Sequence, residues 1–343
     1  MKLVTKEVAE RDKNVYPQNW PAYNAAQVEE KLQFLGILSE LCSYIPDYPN
    51  GGPGRPRMRL GEMTFCVVSK VYERLSSRRV SSDLEIAKDS GYIEKVPHFN
   101  TTLKYFNEPT LTPLLTQLIQ LSASPLKDFE TTFAVDASGL SSAFYSRWLD
   151  YRLKGDKLVK GWLKVHVICG VKSHIVTHIV VTDGVKHDCP QFTELVRETA
   201  KNFKIDAVCG DLGYSSRANV QLVWDLGGAP LIPFKYTANG KSSGSSAWRK
   251  MYIWFHMNGE EFYKYYHQRS NVESTFSMLK RKFSTRLMLK NELGQTNEAL
   301  AMVLCHNIVC LIHEMHELGL DVEFQKSAHL FPNLHIKPDA SII

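Results

Sequence analysis

The middle of the chain changes repeatedly between strand-like and helix-like patterns, and the order of these changes constrains the fold more than any other feature. TTFAVDASG reads as a strand, and WLKVHVICGVKSHIVTHIVVTDG reads as two more strands joined by a short turn. Two segments with helical spacing then alternate with two short apolar runs. The helices are PQFTELVRETAKNF and SSRANVQLVWDLG, and the runs are IDAVCGDLGY and GAPLIPF.

Three strands followed by alternating helices and strands have the order of an RNase H-like fold, which is a mixed β-sheet flanked by helices. We therefore predict an α/β domain of this kind at residues 126–320. A short basic and aromatic insertion is expected at 233–262, and a C-terminal tail at 321–343. Residues 1–125 lack the strand pattern and are predicted to form an α-helical N-terminal region.

The N-terminal region is predicted to contain several helices. The first, at 25–43, has an apolar stripe of Val28, Leu32, Leu35, Leu38 and Cys42. Shorter helices are expected at 60–75, 82–90, 100–107 and 110–122.

Two features of this region suggest DNA contacts. The helices between 82 and 107 are compatible with a helix-turn-helix, although they carry few cations. The Pro- and Gly-rich loop before residue 60 carries Arg55 and Arg57, which fit a DNA minor groove or, equally, a solvated loop.

Charge is distributed unevenly along the chain. Residues 233–290 hold 11 Lys and Arg against 3 Asp and Glu, whereas residues 291–343 hold 2 against 7. A local excess of this size indicates a polyanion-binding surface, here including Arg281 and Lys282. Trp248 and Trp254 lie among these cations, where they would stack on DNA bases or, alternatively, pack in the core.

Sequence features that would indicate a membrane or an export route are not prominent. We find no apolar run near the roughly 20 residues that span a bilayer, and the first residues do not resemble a signal peptide. The seven cysteines are scattered without a CxxC pair, which argues against a structural zinc site. We expect a cytoplasmic protein.

Three carboxylates are placed where the fold would bring them together. Asp136 is expected at the end of the first strand, Asp211 directly follows a central strand, and Glu273 lies on the helix predicted at 265–287. Acids so far apart in sequence suit a site assembled by tertiary structure. Hard oxygen ligands favour Mg²⁺ or Mn²⁺. Two such ions would activate a nucleophile and stabilise a leaving oxygen in phosphodiester chemistry.

The helix that carries Glu273 places three more polar residues on the same face. Tyr266, Arg269, Glu273 and Lys280 are spaced by 3, 4 and 7 positions, which matches the helical repeat. A simple salt bridge between Arg269 and Glu273 on a solvated helix would account for that pair alone. It would leave Tyr266 and Lys280 unexplained.

This spacing resembles the Y-R-E-K signature of the DDE transposases of bacterial and archaeal insertion sequences, the group of insertion-sequence families four and five. Asp136 in VDASG and Asp211 in GDLGY fall where that group has its two aspartates. The resemblance covers about residues 129–310. Each aspartate motif alone occurs in many unrelated proteins. Both motifs in this order, together with the four-residue signature, are specific for this group of transposases.

The resemblance implies a site and an activity. Asp136, Asp211 and Glu273 would be the catalytic triad and would hold two Mg²⁺ or Mn²⁺ ions. The protein would cut double-stranded DNA at the terminal repeats of the element and join the 3′-hydroxyl to target DNA, with a homodimer expected in the DNA complex. The residues that would hold phosphates of the element end are Tyr266, Arg269 and Lys280.

Two alternatives remain from the sequence. One is a catalytically silent DNA-binding protein descended from a transposase, and the other is an RNase H-like nuclease without strand transfer. The presence of all three carboxylates favours the transposase over the silent protein. Some members of the group that this chain resembles form a DNA hairpin intermediate. The insertion between Leu231 and Tyr263 is shorter than that of some larger members, which argues against this pathway here.

Overall fold

The computed structural model describes residues 19–47, 57–142, 162–322 and 324. Its helices and strands follow in chain order: α1 (Trp20–Ser43), α2 (Leu60–Glu73), α3 (Ser77–Asp89), α4 (Phe99–Tyr105), α5 (Leu111–Ala123), β1 (Thr132–Ser141), β2 (Trp162–Gly170), β3 (Val176–Asp183), α6 (Gln191–Ala200), β4 (Ala207–Gly210), α7 (Arg217–Asp225), β5 (Ala229–Leu231), α8 (Ser246–Met257), α9 (Gly259–Tyr266), α10 (Ser270–Phe283) and α11 (Glu292–Leu318).

The described residues form a five-stranded mixed sheet with its strands in the order β3-β2-β1-β4-β5. β1 runs antiparallel to β2 and parallel to β4, while β2 pairs with β3 antiparallel and β4 with β5 parallel. This is the order and orientation of an RNase H-like sheet. The predicted fold class, with a helical N-terminal region, is therefore confirmed.

Helices cover both faces of this sheet, which explains why the central strands are nearly continuous apolar runs. On one face, Cys169 of β2 contacts the Thr275 hydroxyl of α10 at 3.4 Å from its Sγ. On the other face, His178 of β3 lies 3.7 Å from the Glu194 carboxylate of α6. The sheet therefore has a side that carries α10 and a side that carries α6.

The long helix α11 joins the two ends of the chain in one core. It packs against α1, α2 and α5 of the N-terminal region and also against α10, β2 and β3. Nearly all its residues between 297 and 312 are buried. The N-terminal helices are thus held by a helix from the far end of the sequence.

A buried asparagine on α11 makes the central polar contact of this core. Asn307 is 0% exposed, and its Oδ1 accepts a hydrogen bond from the Val176 backbone N–H at 2.9 Å. Its Nδ2 donates to the carbonyls of Val176 and Ile119 and to the Ser122 hydroxyl. One side chain thus links α11, α5 and the first residue of β3.

The same helix is apolar enough to resemble a membrane span. By length and composition α11 is the one such helix in the described ranges, but 78% of its most apolar window is buried inside the protein. A core helix of a globular protein has this composition because it is surrounded by other elements. Burial inside the fold therefore accounts for its hydropathy.

The helices predicted at 60–75, 82–90, 100–107 and 110–122 correspond to α2 to α5, with ends shifted by up to five residues. The stripe predicted for the first helix is wrong in part. Leu38 and Cys42 are buried, but Val28 is 85% exposed and Leu32 is 71% exposed. The buried face instead centres on Phe34 and its neighbours, because α1 packs on α11 and α2 along that side.

We predict that Asn307→Leu strongly destabilises the protein. The substitution leaves the Val176 N–H and at least one buried carbonyl without their partners, which should lower the free energy of unfolding by about 2–5 kcal/mol. Urea denaturation followed by circular dichroism measures the change.

Asn202→Leu is the matched control, because Asn202 is exposed at the end of α6. Its effect should stay within about 0.5 kcal/mol. Equal stability of the two variants would show that the Asn307 contacts do not matter for folding.

Candidate active site

The site is built around Asp136. The prediction that this residue ends its strand is wrong, because β1 stays paired with β2 as far as Ser141 and Asp136 lies in the middle of this central strand. Its side chain is 20% exposed, and its Oδ1 accepts a hydrogen bond from the Ala137 N–H at 2.8 Å. Burial raises the pKa of this carboxyl, and the nearby Asp211 and Glu273 raise it further. The Ala137 N–H and the Arg269 guanidinium act in the opposite direction on the same pKa.

Asp211 is brought to Asp136 by strand pairing. Val135 of β1 is paired with Gly210, the last residue of β4, so the next residue of each chain segment is a carboxylate. Neighbouring strands lie about 4.8 Å apart, which places the two aspartates side by side at the end of β4.

A tight turn fixes the Asp211 side chain. Its Oδ1 accepts a hydrogen bond from the Gly213 N–H at 2.8 Å. A Cβ at position 213 would lie 2.9 Å from that oxygen, closer than real Cβ contacts, so any other residue there would displace the carboxylate. The second glycine of the GDLGY motif therefore lets the Asp211 side chain keep this position.

Glu273 reaches the site from the first turn of α10. Its side chain is 59% exposed, and its Oε1 accepts a hydrogen bond from Arg269 Nη1 at 3.0 Å. The buried residues of α10 are Val272, Thr275, Phe276, Leu279 and Phe283.

Arg269 joins two of the three carboxylates. Its Nη2 lies 3.3 Å from Asp136 Oδ2 while its Nη1 is bonded to Glu273. The sequence spacing already indicated the salt bridge between Arg269 and Glu273. The second contact, to Asp136 at 133 positions away, is additional and links α10 to β1.

The helix predicted at 265–287 is not one uniform helix. α9 ends at Tyr266, residues His267–Arg269 form a 3₁₀ turn, and α10 begins at Ser270. The Ser270 hydroxyl donates to the His267 carbonyl at 2.9 Å, which satisfies a backbone acceptor at this junction. The tighter turn changes the angular position of Arg269 relative to a regular helix.

Lys280 and Tyr266 lie on either side of this junction. Lys280 Nζ donates to the Ser138 hydroxyl at 2.6 Å, and burial lowers the pKa of the lysine. Tyr266 is partly buried against the Phe262 ring, with 5.8 Å between the ring centroids, and burial raises its pKa.

The two cations after Lys280 have different surroundings. Arg281 is exposed. Lys282 Nζ lies 2.5 Å from both carboxylate oxygens of Glu30 on α1, which also accepts a hydrogen bond from the Tyr72 hydroxyl at 2.6 Å. Lys282 therefore ties α10 to the N-terminal helices, and its role in DNA binding stays a prediction.

The remaining sequence candidates lie outside this group. Arg55 is outside the described residues, and Arg57 is exposed ahead of α2. Trp248 is 6% exposed and donates from its indole N–H to the Asn239 carbonyl at 2.8 Å. Trp254 is partly buried and donates to Glu261 at 3.4 Å. Base stacking on either tryptophan stays a prediction.

Two residues near the site were missed from the sequence. Ser138 lies two positions after Asp136 on a strand, so the two-residue repeat could have placed it on the same face. His174 has a left-handed backbone with φ 60°, and its Nδ1–H donates to the Asn271 carbonyl in the first turn of α10. No local pattern would have indicated this contact.

The donor set fits a hard divalent cation. Asp136, Asp211 and Glu273 supply only carboxylate oxygens, which Mg²⁺ and Mn²⁺ prefer. Among the described residues, no three His, Cys, Asp or Glu side chains are close enough to hold a metal as they stand. Between Asp136 and Glu273 the positive charge comes from the Arg269 guanidinium, whereas a bound metal ion would supply it in a loaded site.

Comparison with known proteins identifies a family for the segment that carries these residues. A family model described as the transposase DDE domain matches residues 127–308, more than half of the chain. The matched segment contains all three carboxylates together with Arg269 and Lys280. Searches of curated proteins and of solved structures give no significant match.

We predict that Lys282→Gln lowers the free energy of unfolding, because it leaves the Glu30 carboxylate without its cation. The Glu30 side chain is 10% exposed, so the loss should be about 1–3 kcal/mol. Urea denaturation measures it.

Arg281→Gln removes the same charge from the next position and should leave stability within about 0.5 kcal/mol of the wild type. If both variants unfold at the same urea concentration, the contact with Glu30 contributes nothing to the fold.

Proposed function

Because the chain belongs to the DDE transposase family, we propose that it cleaves the ends of an insertion sequence and joins the released 3′-hydroxyl to target DNA. The observation that supports the proposal is the placement of the three acids. The β1–β4 pairing sets Asp136 beside Asp211, and Arg269 joins Glu273 to Asp136.

The three carboxylates would act as the metal-binding residues. Members of this family use divalent metal ions, and we propose two Mg²⁺ or Mn²⁺ ions here. When bound, these ions would supply Lewis-acid stabilisation of the charge that develops on phosphodiester oxygens. The fixed positions of Asp136 and Asp211, each held by a backbone N–H, would keep the acids oriented for that role.

The cations beside the triad would bind the DNA backbone. Arg269 and Lys280 lie next to the acids, and a guanidinium can hold two phosphate oxygens at once. The Tyr266 hydroxyl would donate to a further phosphate. The Ser138 hydroxyl, bonded to Lys280, would keep the ammonium close to the face of β1 that carries Asp136.

The wider basic surface would hold the rest of the double-stranded DNA. We include in it Arg281 and Lys282 on α10 and the arginines before α2, and we assign the helical N-terminal region a role in recognising terminal repeats. Joining two element ends suggests a homodimer in the DNA complex. Such a protein would act on the chromosome in the cytoplasm.

The proposal predicts Mg²⁺-dependent cleavage of labelled DNA that carries the terminal repeats flanking the coding sequence. Glu273→Gln should lower cleavage by at least about a hundredfold, since it removes the charge of one acid, while end binding is retained. Gel analysis of the labelled strands measures cleavage, and fluorescence anisotropy measures binding.

Glu260→Gln on α9 is the matched control, because Glu260 is exposed and lies outside the triad; it should cleave like the wild type. Tight end binding without cleavage by the wild type in Mg²⁺ or Mn²⁺ would instead indicate a silent DNA-binding descendant of a transposase. Cleavage by Glu273→Gln at the wild-type rate would remove the triad from the mechanism.

A further inference from the structure

The Arg269 guanidinium occupies the space between two acids of the triad. It contacts Asp136 at 3.3 Å and Glu273 at 3.0 Å through different nitrogens, and its side chain is only 22% exposed. The two carboxylates carry like charges that repel each other, and a cation in contact with both offsets that repulsion. The arginine therefore supplies the charge that lets the acids converge in the free protein.

These two contacts do not use all the hydrogen-bond donors of Arg269. Its Nε is buried and has no hydrogen-bond partner among the described residues. A buried donor without a partner makes this arrangement less favourable, because the N–H has lost its hydrogen bonds to water. The side chain is thus bound in the site but would gain a hydrogen bond by binding a different acceptor.

We propose that Arg269 is an internal counter-ion that closes the triad to divalent metal until a DNA phosphate takes its guanidinium. The inference rests on the proposed function, because the competing ion is the metal of the triad and the competing acceptor is the DNA backbone. In the free protein the arginine holds Asp136 and Glu273. In the DNA complex it holds a phosphate, and both carboxylates turn to the metal.

A phosphate is a suitable acceptor for this exchange. The guanidinium presents five N–H donors in a planar fork that fits two oxygens of a phosphate. Phosphate can therefore bind the same nitrogens that now contact carboxylates. The long side chain starts from the 3₁₀ turn between α9 and α10, so it can turn away while Glu273 stays in place on α10.

The consequence is a coupling between DNA and metal. A protein whose acids are neutralised by its own arginine binds metal weakly in the absence of DNA. Binding of either ligand then raises the affinity for the other by the same factor, as linkage requires. DNA that does not bind the Arg269 guanidinium would leave the metal site incomplete. The protein would therefore not cut such DNA.

The first test measures Mn²⁺ binding to the full chain without DNA, by electron paramagnetic resonance of free Mn²⁺. Arg269→Gln should bind Mn²⁺ about tenfold or more tightly than the wild type, because an opposite charge at this distance changes proton affinity by a similar factor. The double variant Arg269→Gln with Glu273→Gln should lose that gain. Arg269→Lys, which cannot span both acids, should fall between Arg269→Gln and the wild type.

Arg197→Gln is the matched control, since it removes one arginine charge from the exposed surface of α6. Its Mn²⁺ affinity should equal that of the wild type, and circular dichroism checks that each variant is folded. Equal or weaker Mn²⁺ binding by Arg269→Gln overturns the proposal, as does an equal gain in Arg197→Gln.

The second test uses a duplex that ends at the repeat boundary and has no bond left to hydrolyse. At fixed ionic strength, Mg²⁺ should raise the affinity of the wild type for this duplex and should raise that of Arg269→Gln much less. Equal effects on both proteins overturn the coupling. Failure of the proposed function is distinguishable, because the wild type would then not cleave terminal-repeat DNA in Mg²⁺ or Mn²⁺, or Glu273→Gln would cleave like the wild type. Failure of the coupling alone leaves cleavage that depends on Glu273 intact.

Discussion

The parallel pairing of β1 with β4 is the constraint on which the site depends. It pairs Val135 with Gly210. The residues that follow them, Asp136 and Asp211, therefore lie side by side at the same level of the sheet. A shift of one residue in this register would turn one carboxylate to the opposite face. The apolar side chains on both strands resist such a shift, because Val135 and Val208 are fully buried between the covering helices.

The third acid depends on packing rather than on pairing. α10 is held against the sheet by its apolar face, by the contact of Thr275 with Cys169 and by His174 at its first turn. Arg269 then joins Glu273 to Asp136. Two of the three acids are therefore joined by one of the protein's own cations.

Much of the fold was accessible from the sequence, because the period of the apolar residues distinguishes strands from helices and the order of these elements allows one sheet. The carboxylates could be found because each lies at a predictable place on its element. Contacts between distant segments could not. Arg281 and Lys282 are adjacent cations, yet only the latter faces Glu30, 252 positions away. The exposed position of Val28 also follows from tertiary packing that a helical stripe alone does not define.

The position of α11 limits how this protein can exchange parts with its relatives. The N-terminal helices rest on α11, which follows the whole catalytic sheet in the sequence, and Glu30 binds Lys282 on the helix of the third acid. A recombination event that replaced only the first part of the chain would therefore separate surfaces that pack on each other. Change in the N-terminal region is expected to arise by substitutions within the existing helices rather than by exchange of the whole region.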